Sequence, residues 1–366
     1  MTNKTILIIS PEAWGTNFVS KHHYSNYLSK QNTVYFLNPV HSSRINPFGK
    51  THLEIKQIKN NLVQINYHNL LPRLNRFPKF IQNYIFKKQA KQIQKALNIS
   101  KFDIVWSFDP FRFWNQKNWQ ADKTIYFTVD LHHNTNFEEN IIKTSTLTIS
   151  ISDHIPSKKI TTKYNILTIN HGFDNSNTTN LKDVTIPGNN KIKAVYVGNI
   201  SSFLENDRMN FLAKTNSNVD FILIGPTSSS NLSTGQAQET IHFNNTNIYC
   251  IGEIKANLID SYLIKCNVNL LMAKSKKGIK NVNSHKLMHY FNSGNITVSD
   301  WLLDYEQNNI LNMVKTPKEF REELSIIINN LEFYNSIEKK ENRKQFAIAN
   351  SYDKKIEEIS KLLYSN

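Results

Sequence analysis

The stretch Asn283-Ser-His-Lys-Leu-Met-His-Tyr-Phe-Asn-Ser-Gly-Asn-Ile-Thr-Val298 decides how the rest of the chain is read. Asn283 and Ser284 are residue types that cap helix N-termini, because a short side-chain oxygen takes up a backbone N–H that the first turn leaves unpaired. Leu287, Met288, Tyr290 and Phe291 then recur at the spacing of one helical face. Gly294 offers the left-handed residue that ends a helix, and Ile296-Thr-Val298 reads as a short buried strand. Helix, glycine, strand is an αβ corner of an α/β domain. Such a helix start also gathers unpaired N–H groups and partial positive charge, so it suits phosphate. The local pattern leaves both readings open.

Working backwards, Val268-Asn-Leu-Leu-Met272 is an apolar strand that delivers the chain to Lys274, Lys276, Lys277 and Lys280, just ahead of the quoted stretch. Lys193 to Ile200, Val219 to Pro226 and Ile248 to Gly252 are further apolar runs that lead into a glycine, and they read as buried parallel strands. The first half repeats the pattern. Lys4 to Ser10, a helix near Phe18 to Ser29 and Thr33 to Leu37 form one βαβ unit, with Trp14 and Gly15 in its first loop. Gly15 stands alone there, so the glycine-rich dinucleotide fingerprint is missing and no nicotinamide or flavin cofactor is expected. Strands at Phe102 to Ser107 and Thr124 to Val129 carry Asp109 and Asp130 just beyond their ends, with His132 and His133 next along. In a doubly wound sheet that rim binds ligands. The segment from Asp174 to Lys191 is rich in Asn, Thr and Ser and has linker composition. The spacing predicts helices over Pro317 to Asn329 and from about Ile337 to Leu363.

These motifs, in this order, resemble two-domain nucleotide-sugar glycosyltransferases of the GT-B type. The resemblance is to bacterial family 4 (group 1) enzymes of surface-polysaccharide and teichuronic-acid synthesis. Those enzymes carry Ser-Pro-x-Lys-Leu-x-Glu-Tyr-x-Ala-x-Gly-x-Pro-Val-Val, and Lys286, Leu287, Tyr290, Gly294 and Val298 match it in register. His171-Gly-Phe-Asp174 resembles the Asn-Gly-Val-Asp that ends the family's first domain. Val219 to Pro226 matches its Phe-x-Leu-x-Gly-Pro. The sequence departs from the pattern at His289, where the family keeps a ribose-binding glutamate, and at Asn199, where some relatives keep a phosphate-binding arginine. Asn281 stands where some carry an acidic residue.

The resemblance implies an α/β protein of two Rossmann-like domains facing each other across a cleft, with a C-terminal helix crossing back. Residues 1–175 would bind acceptor, 176–191 link, 192–345 bind the nucleotide sugar, and 346–366 return to the first domain. Donor-binding candidates are Gly198, Asn199, Gly225, Ser284, His285, Lys286 and His289. Trp14, Gly15 and His171 are candidates for the acceptor or the cleft. For the acceptor hydroxyl, Asp130, His132 and Asp109 are the candidate catalytic groups, Asp130 first because it ends a strand at the rim, a position that equally suits a helix cap. Backbone amides and lysine would stabilise the leaving diphosphate without a metal, and no Asp-x-Asp or other metal-ligand spacing is present. The nucleotide sugar is then a co-substrate and no cofactor is expected. The implied reaction transfers a hexosyl group to a glycan or lipid-linked acceptor.

Charge bears on the partner. The 366 residues include 44 Lys+Arg against 29 Asp+Glu, a net charge of +15. Arg73, Arg76, Lys79, Lys87, Lys88, Lys91 and Lys95 fall in one acid-free segment with Phe77, Phe80, Tyr84 and Phe86 between them. This fits a helix lying on an anionic membrane face, and equally a surface helix with a solvated Lys side and its aromatic side in the core. A nucleic-acid-binding protein is the competing class, although no recognition motif is present. A nucleotide-sugar epimerase of similar architecture is a further alternative, against which stands the sparseness of acidic residues in the second half. Two cysteines, no signal-peptide pattern and no long apolar run lead to the expectation of a cytoplasmic enzyme, peripheral at most on the inner face of the membrane.

Overall fold

A computed structural model describes residues 1–15, 18–43, 49–130, 135–176, 181–200, 204, 206–227, 243–272 and 284–365. The chain forms two compact units, Met1–Asn170 with Tyr352–Asn366, and His171–Ser351. The division falls at Asn170/His171, a few residues ahead of the expected 175.

The first unit runs β1 (Thr5–Ile9), α1 (Ser20–Leu28), β2 (Thr33–Leu37), β3 (Ser42–Ser43), β4 (Leu53–Lys59), β5 (Leu62–Asn69), α2 (Lys79–Ala96), β6 (Phe102–Ser107), β7 (Ala121–Thr128), α3 (Thr135–Ile142), β8 (Leu147–Ser150), α4 (Lys158–Thr161) and β9 (Leu167–Thr168). Its sheet order is β3-β5-β2-β1-β6-β7-β8-β9, parallel except for β4, which pairs antiparallel with β5. Ile6 to Ile9 are fully buried because both faces of a parallel sheet are covered. On one face Ile85, Phe86, Ala90 and Ile93 of α2 pack with Leu7, Ile9, Phe113 and Trp119. On the other, Tyr24 of α1 meets Trp106 and Phe127, rings tilted at 4.9 and 5.8 Å.

The second unit runs β10 (Ile192–Val197), α5 (Asn206–Thr215), β11 (Val219–Ile224), β12 (Ile248–Gly252), α6 (Ile259–Lys265), β13 (Val268–Leu271), α7 (Lys286–Ser293), β14 (Ile296–Asp300), β15 (Asn312–Val314), α8 (Pro317–Asn329), α9 (Leu331–Tyr334) and α10 (Ile337–Ala349). Its sheet is parallel throughout, in the order β12-β11-β10-β13-β14-β15. In chain order that is 3-2-1-4-5-6, the doubly wound arrangement of a Rossmann domain. The helix expected from Ile337 to Leu363 is broken at Asn350 and Ser351. Its second part, α11 (Tyr352–Tyr364), belongs to the first unit, where Tyr352 stacks on His23 with ring centroids 5.0 Å apart.

The basic segment divides by face. α2 buries Gln82, Ile85, Phe86, Gln89, Ala90, Ile93 and Gln94, and leaves Phe80 74% and Tyr84 58% exposed. Phe86 is therefore core, packed on Phe113 at 4.9 Å, and is withdrawn from the aromatic surface that the sequence suggested. Both cysteines are free thiols. Among the described residues no helix is long and apolar enough to cross a membrane, and no group of three His, Cys, Asp or Glu could hold a metal.

Candidate functional site

In the second unit the strand order reverses between β10 and β13. Open α/β sheets take ligands in the crevice outside the carboxyl ends of the two strands at such a switch. Gly198 and Asn199 follow β10 directly. The chain beyond β13 returns at Ser284 and His285 to start α7. Lys274, Lys276, Lys277, Lys280, Asn281 and Asn283 lie outside the described residues.

Backbone bonds tie this rim together. The Gly198 N–H donates to the Ile224 carbonyl at 2.8 Å, and the Gly225 N–H to the Gly252 carbonyl at 2.8 Å. Glycine is required at both places. A Cβ on Gly225, where φ is +144°, would strike the Gly198 carbonyl oxygen, and a Cβ on Gly198 would strike the Lys286 ammonium and lie 2.8 Å from the Tyr196 hydroxyl. Tyr290 fastens α7 beneath the switch. Its hydroxyl accepts from the Val197 N–H at 2.9 Å and donates to the Leu270 carbonyl at 3.1 Å, reaching the ends of β10 and β13 at once.

Lys286 opens α7 and is half-buried. Its ammonium lies 5.6 Å from the centre of the Tyr196 ring and has no hydrogen-bond or ion-pair partner among the described residues. Burial pushes its pKa down to about 8. A half-buried cation with no anion beside it among the described residues is a state that a bound phosphate relieves. The cap differs from expectation. His285, not Ser284, occupies the N-cap, and no side chain among the described residues caps the helix; Ser284 contributes its carbonyl, which accepts from the Leu287 N–H at 3.0 Å. His285 sits edge-on to His171, ring centroids 6.1 Å apart. At the other end Gly294 takes the left-handed φ of +79° that the sequence called for.

One helical step beyond Lys286, the Nδ1 of His289 is 2.8 Å from Oδ1 of Asp260, on α6. Burial is the largest influence on the imidazole and lowers its pKa. The Asp260 hydrogen bond and charge, with Asp174, outweigh it, and the net shift is upward. Asp260 carried no motif and was not legible in the sequence, because only the packing of α6 on α7 brings it to His289.

The corresponding switch in the first unit, between β1 and β6, is filled. Arg112 donates to Asp109 at 2.6 Å, to the Ser10 carbonyl at 2.5 Å, to the Asn38 carbonyl at 2.9 Å and to the Tyr67 hydroxyl at 2.9 Å. Asp109 is buried and also accepts from the Phe111 N–H at 2.8 Å. Its carboxylate thus holds a loop together. Asp130 is exposed beyond the end of β7, while His132 and His133 lie outside the described residues. Trp14 is pinned, its N–H donating to Asn38 Oδ1 at 2.8 Å and its ring edge-on to Phe18, His22 and Phe36. Gly15 is exposed beside it.

No sequence profile of a known family matches the chain, and no curated protein matches its sequence. Solved structures do match its shape from end to end. The trehalose 6-phosphate synthase of Burkholderia multivorans superposes with a TM-score of 0.67 at 10% identity, covering 100% of this chain and 99% of that one. The chain has the GT-B fold. Sucrose-phosphate synthase from Thermosynechococcus elongatus gives 0.66 at 9% identity, covering 98% of both chains. Anabaena HepE, solved with UDP and glucose, gives 0.63 at 11% identity over 100% of both. In GT-B terms the units described above are two Rossmann-like domains, the second with its strand-order switch at Gly198 and Lys286.

Proposed function

We propose that the protein is a metal-independent glycosyltransferase that moves a sugar from a nucleotide donor to a glycan or lipid-linked acceptor in bacterial cell-surface polysaccharide synthesis. One observation carries the reading: a half-buried ammonium without a counter-charge among the described residues, Lys286, at the start of α7 and at the switch point of a Rossmann sheet. Solved structures of the same fold with UDP-2-fluoro glucose, or with UDP and glucose, support a nucleotide-sugar donor.

In the transfer, the bond from the anomeric carbon to the diphosphate breaks as the acceptor oxygen bonds to that carbon. Negative charge then grows on the leaving diphosphate. The Lys286 ammonium and the partial positive charge at the start of α7 stabilise that charge, which takes over the role a divalent metal would play. Asp130, exposed beyond β7, is assigned to orient the acceptor hydroxyl and receive its proton. Work at an anionic inner leaflet is assigned to the exposed face of α2. Its Phe80, Tyr84, Lys87, Lys91 and Lys95 follow one another at three- and four-residue steps, so they form one stripe with apolar rings and cations together.

The test is release of nucleoside diphosphate from a panel of UDP-, GDP-, CDP- and dTDP-sugars, with and without EDTA. One donor should be cleaved slowly without acceptor, undiminished by EDTA. Failure of every nucleotide sugar to bind or turn over would overturn the proposal, and loss of turnover in EDTA would overturn its metal-independent form.

A further inference from the structure

We infer that β4 is a docking edge for a second copy of this chain, which adds its own β4 antiparallel across a two-fold axis. The inference is independent of the donor reading and concerns the first unit alone. The bonds of β5 show which way the backbone of β4 points. On one edge of β5 the Ile65 and Tyr67 carbonyls accept from the Asn38 and His41 N–H groups at 3.0 and 3.2 Å. On the other edge the His68 N–H donates to the His52 carbonyl at 3.1 Å. Directly opposed residues of an antiparallel ladder exchange hydrogen bonds in alternation. With Glu54 opposite Asn66 and Lys56 opposite Gln64, the backbone groups of Glu54 and Lys56 therefore turn toward β5. Those of Leu53, Ile55 and Gln57 point the other way, where no strand pairs among the described residues.

The side chains leave this edge open as well. Glu54, Lys56 and Gln57 are exposed, and Ile55 keeps 46% of its surface. An open edge is a template for another strand, and the charges of β4 say which one. Glu54 and Lys56 share one face of the strand, where Glu54 takes a hydrogen bond from Asn66 at 3.0 Å; Ile55 lies on the other face. In a symmetric pair of β4 strands, the residue on the two-fold axis faces itself. With Glu54 or Lys56 on the axis, like charges stand directly opposite each other, which is unfavourable. With Ile55 on the axis, Glu54 of each copy meets Lys56 of the other, and the two Ile55 side chains cover each other. No other centre within β4 brings an acid opposite a base. This register also uses the outward N–H and C=O groups of Leu53, Ile55 and Gln57. A lysine on an edge strand usually keeps other strands away. Here Lys56 does so only where it would face itself, so the two charges select one alignment. The axis is normal to the sheet, and α2 packs on the face that carries Ile65 and Tyr67. Both copies of α2 then lie on the same side of the joined sheet, and the basic stripes assigned above to a membrane would meet it together.

Sedimentation equilibrium of the full-length protein at low salt, over a concentration series reaching the millimolar range, tests this with charge variants. The wild type should pass from monomer to dimer. Glu54→Lys and Lys56→Glu should each weaken the dimer by about ten-fold or more, because two opposite-charge pairs become two like-charge pairs. An equimolar mixture of these two variants should dimerise as the wild type does, since every lysine then faces a glutamate. The exchanged variant Glu54→Lys/Lys56→Glu should do so by itself. Ile55→Pro removes an outward N–H and no bond to β5, so it should stay monomeric with the circular dichroism and Tm of the wild type. A wild type that remains monomeric throughout overturns the inference. A dimer equally strong in both single variants overturns it too, by placing the contact elsewhere, as does a mixture no tighter than either variant alone. Should Ile55→Pro fail to fold, the charge exchange still decides, because it alters only exposed side chains. Nucleotide binding is measured separately, and the donor reading stands or falls without these results.

Discussion

At the scale of single residues, burial lowers the pKa of two groups. Lys286 has its pKa lowered to about 8 by burial, and a bound diphosphate favours the ammonium. Binding is therefore linked to the proton: affinity for a nucleoside diphosphate should be flat below about pH 8 and fall above it. In Lys286→Met the affinity should be weaker and the fall absent, as titration across that range would show. His22 is the opposite case. Burial lowers its pKa to about 4, while its ring accepts from the Val19 N–H at 3.2 Å and its other nitrogen lies 3.0 Å from the Ala13 carbonyl. The unfolded chain takes up the proton near pH 6.5 and the folded protein does not, so the His22 contribution is complete above 6.5 and is lost as the pH falls toward about 4. Urea unfolding over that window should show a steeper loss in the wild type than in His22→Phe. A steeper loss in the variant would contradict the assignment. Lys286, Gly198 and Gly225 were legible from the sequence because each belongs to a short motif. Asp260, Tyr196 and Arg112 were not, since their roles come from chain crossings that no local pattern records.

At the scale of elements, α7 does two jobs, and Tyr290 connects them. Tyr290→Phe leaves the Val197 N–H and the Leu270 carbonyl without this partner in the core, at a cost of about 1–3 kcal/mol. Chemical denaturation should show that loss, together with weaker nucleotide binding, because β10 and β13 are no longer fixed to the helix start. α2 separates a core face from an exposed face, to which the membrane proposal is assigned. Under that proposal seven cations, each worth about 1 kcal/mol near an anionic surface before screening, would draw the segment to the membrane, and Phe80 and Tyr84 would add apolar contact. Lys87→Glu, Lys91→Glu and Lys95→Glu together should release the protein from phosphatidylglycerol vesicles and leave nucleotide binding intact. If the wild type ignores such vesicles, the helix is a solvated face and the acceptor is soluble. Periodicity fixed where α2 lies, but an aromatic at position 86 looks the same in sequence whether it faces the core or water. The break at Asn350 was equally hidden, because apolar spacing continues across it.

At the scale of the whole molecule, the chain commits its last residues to its first unit. Tyr352 packs against His23, Tyr24 and Tyr27, and Lys30 pairs with Asp353 at 3.3 Å. Deletion of residues 352–366 would expose that aromatic surface, so the first unit should unfold at lower temperature while the second keeps its transition. The two-domain α/β plan was readable from continuous apolar runs alternating with helical spacing, since parallel strands buried on both faces leave that trace. The nucleoside diphosphate is proposed to sit at the switch between β10 and β13, where α7 begins. Thermal unfolding with saturating nucleoside diphosphate, in the wild type and in Ser284→Pro/Lys286→Glu, tests it most directly. The expected result is a raised Tm in the wild type and, in a variant with the same starting Tm, no shift at all. An undiminished shift in the variant would place the nucleotide elsewhere and contradict the claim.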